Sequence, residues 1–306
     1  MTVIKLDGIT KKFGSVTALD NLDLTVEKGE IYGFLGPNGS GKSTTINILL
    51  DFIQPTNGQA TLFGQDVHTN SAAIRDRIGV LPDAYDTYDR LTGRQHLEFT
   101  IESKGASDDP MELLERVGIP EAADRTADGY SKGMTQRLVL SMALVGDPDL
   151  LILDEPSTGL DPNGAREMRE IIMEQNQRGA TIFFSSHIME QVEAICDRVG
   201  ILSNGTLIAE DSIHELRQQM DTKTTLTLVV SDVTPAVVDA VQNCTGVSNV
   251  TTGNDQISVS IADGSKAAVI NTIESSAVEL QDFSTSEASL EDLFTAYTTE
   301  QTEGSA

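Results

Sequence analysis

A glycine-rich segment, residues 36–44, carries the clearest chemical pattern in this chain of 306 residues. It reads GPNGSGKST and fits the spacing G-x-x-x-x-G-K-[ST], in which a turn joins a strand to a helix. Glycines let the backbone curl so that N–H groups point at phosphate oxygens, and the following helix adds its positive end. The pattern predicts that Lys42 binds the β- and γ-phosphates of a nucleoside triphosphate and that Ser43 binds Mg²⁺. The expected phosphate contacts are Gly36, Pro37, Asn38, Gly39, Ser40, Gly41, Lys42, Ser43 and Thr44.

Three apolar runs predict the buried strands that position this chemistry, because each is short, continuous and followed by a distinctive residue set. They are Ile31–Leu35, Leu150–Leu153 and Thr181–Phe184. The first leads into the glycine loop, the second into Asp154 and Glu155, and the third into Ser185, Ser186 and His187. An open α/β sheet gathers active groups at the carboxyl ends of its parallel strands, so we expect these groups to lie together.

The pair Asp154-Glu155 predicts a metal ligand and a base. A carboxylate directly after a buried strand is costly unless it meets a cation, and Mg²⁺ beside the phosphates would supply one. Asp154 would hold the metal through its water shell, and Glu155 would polarise an attacking water as a general base. The alternative is that the pair only caps the strand, which the nearby phosphate loop disfavours.

The remaining chain contains stretches that differ in their patterns of apolar and polar residues. Residues 1–30 alternate apolar and polar side chains between turn signals, which predicts an antiparallel β layer. Helical periodicity in residues 84–146 predicts a helical subdomain. Beyond Met220, TLTLVVS, SNVTT and QISVSIA indicate strands, whereas PAVVDAVQNC, KAAVINTIES and SLEDLFTAY indicate helices. We therefore predict two domains, residues 1–218 and 219–306.

The composition is strongly acidic, with 47 Asp and Glu against 21 Lys and Arg and a net charge of −26. One interpretation is repulsion of nucleic acid and anionic lipid. We favour adaptation to concentrated salt, where a Debye length of about 3 Å at 1 M screens repulsion among surface carboxylates. Cys196 and Cys244 are too few for a disulfide framework or a metal cluster. Because we find no signal sequence and no run near the ~18 apolar residues of a membrane span, we expect a cytosolic protein.

The segment 130–137, here called the signature segment, reads YSKGMTQR and precedes Asp154 in the chain. With the glycine loop and the carboxylate pair, it resembles the nucleotide-binding subunits of ABC (ATP-binding cassette) transporters. Its YSKGM form, in which Lys132 and Met134 depart from the common pattern, resembles subunits that energise ABC-2-type permeases, usually exporters. The resemblance implies that the γ-phosphate of ATP bound to the opposite subunit is clamped here. The implied nucleotide-binding residues are Ser131, Gly133 and Gln136.

The same resemblance implies an α/β fold with a P-loop (RecA-like) ABC ATPase core, an antiparallel β layer, a helical subdomain and a small C-terminal α+β accessory domain. Phe13 stands where an aromatic ring stacks on adenine, although a plain core phenylalanine is the alternative. Asp161 belongs to a D-loop, TGLD, that crosses the dimer interface. His187 matches a switch histidine that contacts the γ-phosphate and supports Glu155.

One position departs from the family pattern. A Q-loop glutamine is expected near the end of IGVLPD, and this chain has Asp83 there. Aspartate can reach a metal through water, so we include Asp83 among the metal ligands, but it cannot donate an amide hydrogen bond. The following segment, residues 84–97, would face a permease, with a solvated helix and loop as the alternative.

The resemblance implies an ATPase subunit that dimerises around two ATP molecules, with Mg²⁺, and drives a separate transmembrane permease at the inner face of the membrane. The dimer would contain two copies of this chain, or one copy and a similar subunit. A first alternative is a soluble ABC ATPase of translation or DNA maintenance, which the single cassette and the absence of a basic nucleic-acid surface disfavour. A second is an ATPase-defective regulatory cassette, against which Glu155 and His187 argue.

Overall fold

The computed structural model describes residues 1–219, 224–261, 265–276 and 278–286. The chain divides into two compact units, residues 1–213 and 214–306, whereas the sequence places the domain boundary between residues 218 and 219. The predicted helix SLEDLFTAY, residues 289–297, lies outside the described residues. Within the described ranges, every helix is too short or too polar to span a membrane.

The first unit contains ten strands and seven α-helices. The strands are β1 (Thr2–Phe13), β2 (Val16–Glu27), β3 (Ile31–Leu35), β4 (Asn57–Leu62), β5 (Gln65–Asp66), β6 (Ile78–Leu81), β7 (Leu150–Asp154), β8 (Thr181–Ser186), β9 (Arg198–Ser203) and β10 (Thr206–Asp211). The helices are α1 (Lys42–Leu49), α2 (Ser71–Arg75), α3 (Gly93–Lys104), α4 (Pro110–Arg116), α5 (Lys132–Ala143), α6 (Pro162–Gln177) and α7 (Met189–Glu193), with short 3-10 turns at Pro120–Ala122 and Ala127–Gly129.

The predicted antiparallel β layer is confirmed. Strands β1 and β2 pair from Thr2 opposite Glu27 to Phe13 opposite Val16, and the sheet has the order β2-β1-β4-β5. Alternate residues of β2 are buried, as the alternation of its sequence requires for a sheet with one face in the core.

The predicted parallel strands form the centre of a six-stranded sheet with the order β10-β9-β3-β8-β7-β6. All residues of β3, β7 and β8 are buried, as expected for strands covered on both faces. Stacking of Tyr32 on Phe183, with ring centroids 5.9 Å apart, fills the core beside them. Strands β6, β9 and β10 were absent from the sequence-based prediction.

Three helices, α3, α4 and α5, lie in the stretch where helical periodicity predicted them. A capping box at Thr92 begins α3, and Asp109 caps α4. Helix α5 packs closely against β6, because a Cβ at Gly79 would lie only 2.0 Å from the carbonyl oxygen of Ala143. This contact ties the helix that follows Ser131 to the edge of the parallel sheet.

Helix α8 (Ile213–Gln219) begins at the last residue of the first unit, and its remaining residues belong to the second unit. Its elements are β11 (Thr224–Val230), α9 (Pro235–Gln242), β12 (Val247–Thr252), β13 (Gln256–Ile261), α10 (Lys266–Glu274) and β14 (Leu280–Ser286). The sheet is antiparallel with the order β12-β13-β11-β14, a split β-α-β arrangement with its own apolar core. The α+β character is as predicted, but β14 was missed.

Candidate nucleotide-binding site

The glycine loop connects β3 to α1 and has a backbone that requires glycine. Gly41 precedes the first turn of α1 and has φ 117°, a left-handed conformation that is strained for residues other than glycine. A Cβ at Gly41 would lie 2.7 Å from Leu19 Cδ2, and a Cβ at Gly36 would lie 2.4 Å from the carbonyl oxygen of Leu202. The tight packing of the loop therefore explains the glycine spacing.

Lys42 is buried at the start of α1 with its ammonium group directed back at the loop. Its Nζ donates hydrogen bonds to the carbonyl oxygens of Gly36 at 2.6 Å and Pro37 at 3.4 Å. The same Nζ lies 3.7 Å from Glu155 Oε1. The sheet thus brings the predicted phosphate-binding lysine and the predicted base together from positions far apart in sequence.

Glu155 is 8% exposed and has φ 52°, an unusual conformation for a residue other than glycine. Such backbone strain concentrates at functional sites. Hydroxyl groups of Thr158 and Ser186 donate to its Oε2 at 3.2 and 3.3 Å. His187, which follows β8, places Nδ1 2.8 Å from Oε1. Oε1 still lacks a well-formed hydrogen bond among the described residues.

Asp154 ends β7 and is held by the neighbouring strand. The two strands are in register at Asp154 and Ser185, and Ser185 Oγ donates to Asp154 Oδ1. Burial raises the pKa of Asp154 above its ordinary value, and the charges of Asp83 and Glu155 add to this rise. The hydrogen bond from Ser185 and the charge of Lys42 act in the opposite direction. The folded chain thus keeps a carboxylate where a cation would stabilise it.

These groups surround a cavity of about 160 Å³ at the carboxyl edge of the parallel sheet. Ala18, from β2, contributes to it and was not predicted; Asp83 contributes and is exposed. The cavity is lined by Ala18, Pro37, Asn38, Gly39, Gly41, Lys42, Ser43, Thr44, Asp83, Asp154 and Glu155.

The cavity residues fit a magnesium nucleotide. Ser40 Oγ, in the loop, and Glu155 Oε1 are buried polar atoms without a hydrogen-bond partner in the described chain. Mg²⁺ is ordinarily bound by one or two carboxylates together with substrate phosphates and water, so it needs no larger cluster of protein ligands. Asp154 and the exposed Ser43 hydroxyl would hold it, with Asp83 near enough to raise the pKa of Asp154.

The predicted residues of the signature segment lie elsewhere. Ser131 caps α5 by accepting a hydrogen bond from the Met134 amide at 3.3 Å, and its side chain is exposed. Gly133 leaves room beside Leu160, whose Cδ2 would lie 3.3 Å from a Cβ there. Gln136 is buried and donates to the carbonyl oxygen of Pro156. Ser131, Gly133 and Gln136 are not among the residues that line the phosphate cavity.

The predicted residues Gly36, Ser40 and His187 adjoin the cavity residues without lining the cavity, and Phe13 and Asp161 also lie outside its lining. Phe13 is 50% exposed at the end of β1, with Lys11 Nζ 4.9 Å from its ring centroid, so it is a surface aromatic rather than a core residue. Asp161 is exposed and caps α6 by accepting a hydrogen bond from the Gly164 amide at 2.7 Å.

Sequence reasoning gave no role to the hydroxyl groups that hold the carboxylates. Ser185 and Ser186 end β8 and are fully buried, where a hydroxyl needs a partner. Two buried serines beside a histidine at the end of an apolar strand were the available signal. Their partners became known only from the pairing of β7 with β8.

Replacement of Asp154 by asparagine should stabilise the folded chain without ligands. The raised pKa means that the folded state holds the Asp154 proton more tightly, so this residue's contribution to stability is lost as pH rises through that pKa. Asp154→Asn removes the buried charge but keeps an acceptor for Ser185. We expect Tm at pH 7 to rise by about 2–4 °C, for a free-energy change on the order of 1 kcal/mol, and the gain to shrink towards the ordinary aspartate pKa of about 3.9.

Thermal unfolding at several pH values measures this effect. Asp86→Asn, at an exposed carboxylate, serves as the matched control and should leave Tm nearly unchanged. A lower Tm for Asp154→Asn at pH 7 would contradict the assigned burial penalty.

The chain is similar to known proteins over most of its length. Residues 19–158 match the family model for ABC transporters, and residues 212–298 match that for the C-terminal domain of DrrA1-3-like ATP-binding proteins. The chain is 41% identical over 243 residues to the bacitracin transport ATP-binding protein BcrA of Bacillus licheniformis, covering 78% of each chain. It is 31% identical over 301 residues to the linearmycin resistance ATP-binding protein LnrL of Bacillus subtilis, covering 95% of this chain and 97% of the relative. A fluoroquinolones export ATP-binding protein of Mycobacterium tuberculosis is 39% identical, covering 70% of this chain and 72% of the relative.

Solved structures show the same fold. The ATP-binding subunit of an ABC transporter superposes with a TM-score of 0.66 at 28% identity, covering 71% of this chain and 93% of that structure. A dimeric post-hydrolysis state of an ATP-binding cassette, bound to ADP and Pi, superposes with a TM-score of 0.63 at 25% identity, covering 69% and 98%. The chain therefore belongs to the ATP-binding subunits of ABC transporters and is an ATPase of that family.

Proposed function

We propose that this chain hydrolyses MgATP at a site completed by a second cassette and thereby drives a separate transmembrane permease. One observation carries the proposal: Lys42, Asp154 and Glu155 share a cavity, whereas Ser131 and Gly133 do not line it. The phosphate contacts expected from the glycine loop are thus assembled within one chain. The contacts expected from the signature segment lie at the exposed N-terminus of α5.

The residues of the cavity have separate roles in the proposed hydrolysis of ATP. Lys42 binds the β- and γ-phosphates, and the loop amides add further donors. Glu155 accepts a proton from the attacking water, and His187, 2.8 Å from its Oε1, orients that carboxylate. Asp154 and Ser43 would hold Mg²⁺, with Asp83 as a further carboxylate of the same cavity. Bound Mg²⁺ supplies positive charge that stabilises the phosphate oxygens during transfer.

The second cassette supplies the signature segment. Ser131 and Gly133 at the start of α5 present a hydroxyl, a glycine and the positive end of a 12-residue helix. A γ-phosphate bridging the two cassettes stabilises the closed dimer, and hydrolysis removes that bridge. The exposed Asp161 would face the partner cassette, and Phe13 offers an exposed ring for adenine.

Glu155→Gln should abolish turnover while preserving binding. The substitution keeps the size of the side chain but removes the base, so we expect ATP hydrolysis to fall at least about 100-fold. ATP should still raise Tm, and dimers should accumulate in size-exclusion chromatography with ATP. Glu190→Gln, at an exposed position near His187, should keep wild-type phosphate release. Unchanged phosphate release by Glu155→Gln would refute the assigned base and favour a differently catalysed cassette, whereas no release by the wild-type chain would favour an ATPase-defective one.

A mixture of two inactive variants should regain activity. Lys42→Met disables the phosphate loop, and Ser131→Arg blocks the signature segment. If each site takes these residues from different chains, a mixed dimer keeps one intact site. Random pairing then restores up to about a quarter of wild-type phosphate release.

The two variants measured separately are the controls for this mixture. No recovery on mixing would contradict the shared site, as would a fully active Ser131→Arg chain.

We further propose that the partner is an ABC-2-like permease, that transport is export, and that the chain acts at the inner face of the membrane. The YSKGM segment, the match of residues 212–298 and the export and resistance functions of the relatives support this direction. Residues 219–306 would form the accessory domain. Co-purification from membranes with a multi-span protein supports the proposal, whereas recovery with ribosomes or DNA would favour the soluble alternative.

We also infer that the chain is adapted to concentrated salt. A net charge of −26 implies strong repulsion among surface carboxylates, which salt screens. Tm should therefore rise steeply as KCl increases from about 0.2 to about 2 M, spanning Debye lengths from roughly 7 to 2 Å. Sucrose, which is uncharged, should give a smaller and more gradual rise. A Tm that is flat or falls with KCl would contradict the inference.

A further inference from the structure

A second cavity lies in the first unit at the edge of the parallel sheet opposite the phosphate loop. It has a volume of about 350 Å³ and is lined by Pro148 and Asp149, just before β7, and by Ala180, just before β8. Because the catalytic groups follow the carboxyl ends of these strands, a cavity at the amino ends is remote from them. Its volume falls in the range of pockets that hold small organic ligands, about 300–1,000 Å³.

Two buried donors of this cavity lack acceptors. Arg116, from α4, donates Nη1 to Asp147 Oδ1 at 3.0 Å and Nη2 to Gln175 Oε1. Because a guanidinium group can only donate, the amide oxygen of Gln175 must face it, which leaves Gln175 Nε2 as a donor. Neither this Nε2 nor Arg116 Nε has a hydrogen-bond partner within the described residues, and Gln175 is only 3% exposed. Unpartnered buried donors favour an acceptor ligand.

Two cations complete the donor set. Lys28 and Arg178 line the cavity, and their side chains form no ion pair with any described residue. The carboxylates of the lining are already engaged, since Asp147 pairs with Arg116 and Asp149 pairs with Arg77 at 2.7 Å. Among the described residues, two cations without ion pairs therefore lie beside two buried donors without acceptors.

We propose that this cavity binds a small phosphate monoester. The phosphate group carries a charge of about −1.5 to −2 and three acceptor oxygens, which suit two cations and the free donors of Arg116 and Gln175. The rest of the ligand packs against Leu144, Pro148 and Leu151. The site is separate from the ATP site and does not depend on the proposed transport function.

The position of the cavity connects it to the catalytic elements. Leu144 follows the end of α5, whose other end begins at Ser131. Gln175 lies near the end of α6, which begins after Asp161, and β7 runs from Leu150 beside the cavity to Asp154. A ligand that contacts Arg116 and Gln175 would therefore link α4 to α6 beside the last turn of α5 and the start of β7.

Gln175→Glu tests the site with little change in shape. The new carboxylate still accepts a hydrogen bond from Arg116, so the fold is kept. The unpartnered N–H donor of Gln175, however, is replaced by a negatively charged oxygen that can only accept. In the full-length protein at constant KCl, glycerol 3-phosphate should raise Tm saturably and bind in calorimetry. Gln175→Glu should weaken this binding at least about 10-fold, as expected for loss of a charge-assisted hydrogen bond. Gln177→Glu, the same charge change at an exposed position of α6, should not.

Three further arms decide the outcome. Lys28→Gln with Arg178→Gln, both at exposed positions, should also weaken binding of glycerol 3-phosphate, whereas uncharged glycerol should not bind. Inorganic phosphate should bind more weakly than the monoester because it lacks the part that packs on Leu144. The proposal is overturned if glycerol 3-phosphate gives no saturable shift. It is also overturned if Lys42→Ala abolishes the shift while Gln175→Glu leaves it intact, because the probe then occupies the phosphate loop. ATP-induced stabilisation of Gln175→Glu reports separately on the ATP site.

Discussion

The burial of two adjacent carboxylates at the end of an apolar strand is the constraint on which the rest of the site depends. Asp154 and Glu155 are each less than a tenth exposed and follow four fully buried residues of β7. Negative charge is unfavourable there unless cations and donors surround it. Lys42 comes from the neighbouring loop, and hydroxyl groups come from the neighbouring strand. The parallel register of β3, β8 and β7 is therefore as much a part of the chemistry as the side chains are.

A nucleoside triphosphate would add further negative charge to this edge, where Lys42 is the one cation among the described residues that line the cavity. The proposed site would receive further positive charge from two sources. A metal ion would offset the carboxylates, and the N-terminus of a helix from a second cassette would face the phosphates. Helix α5 is fixed to the sheet by its close contact with Gly79, and its exposed capping serine does not line its own chain's cavity. An interface between cassettes can therefore be part of the catalytic site.

The phosphate-loop cavity and the cavity at the opposite edge share one physical feature. Each has buried polar atoms without a hydrogen-bond partner among the described residues, Ser40 Oγ and Glu155 Oε1 near the first, Gln175 Nε2 and Arg116 Nε near the second. Ser40 and Glu155 belong to motifs that the sequence analysis identified, whereas Gln175 and Arg116 belong to no such motif.

The sequence by itself determined the local features: the glycine loop, the central strands β3, β7 and β8, the helices of the 84–146 stretch, and the carboxylate pair. Each of these features depends on residues that are close together in the chain, so the periodicity or spacing of the sequence predicts it. Short or polar strands escaped this reasoning, since β14 has five exposed residues in a row and β6 spans only Ile78–Leu81. The family resemblance implied that His187 supports Glu155, and the structure places the two side chains in contact. Only the tertiary structure decided that Ser185 bonds Asp154 and that Lys28, Arg116 and Gln175 line one cavity. These residues are brought together by strand register and helix packing, which depend on contacts between distant parts of the chain.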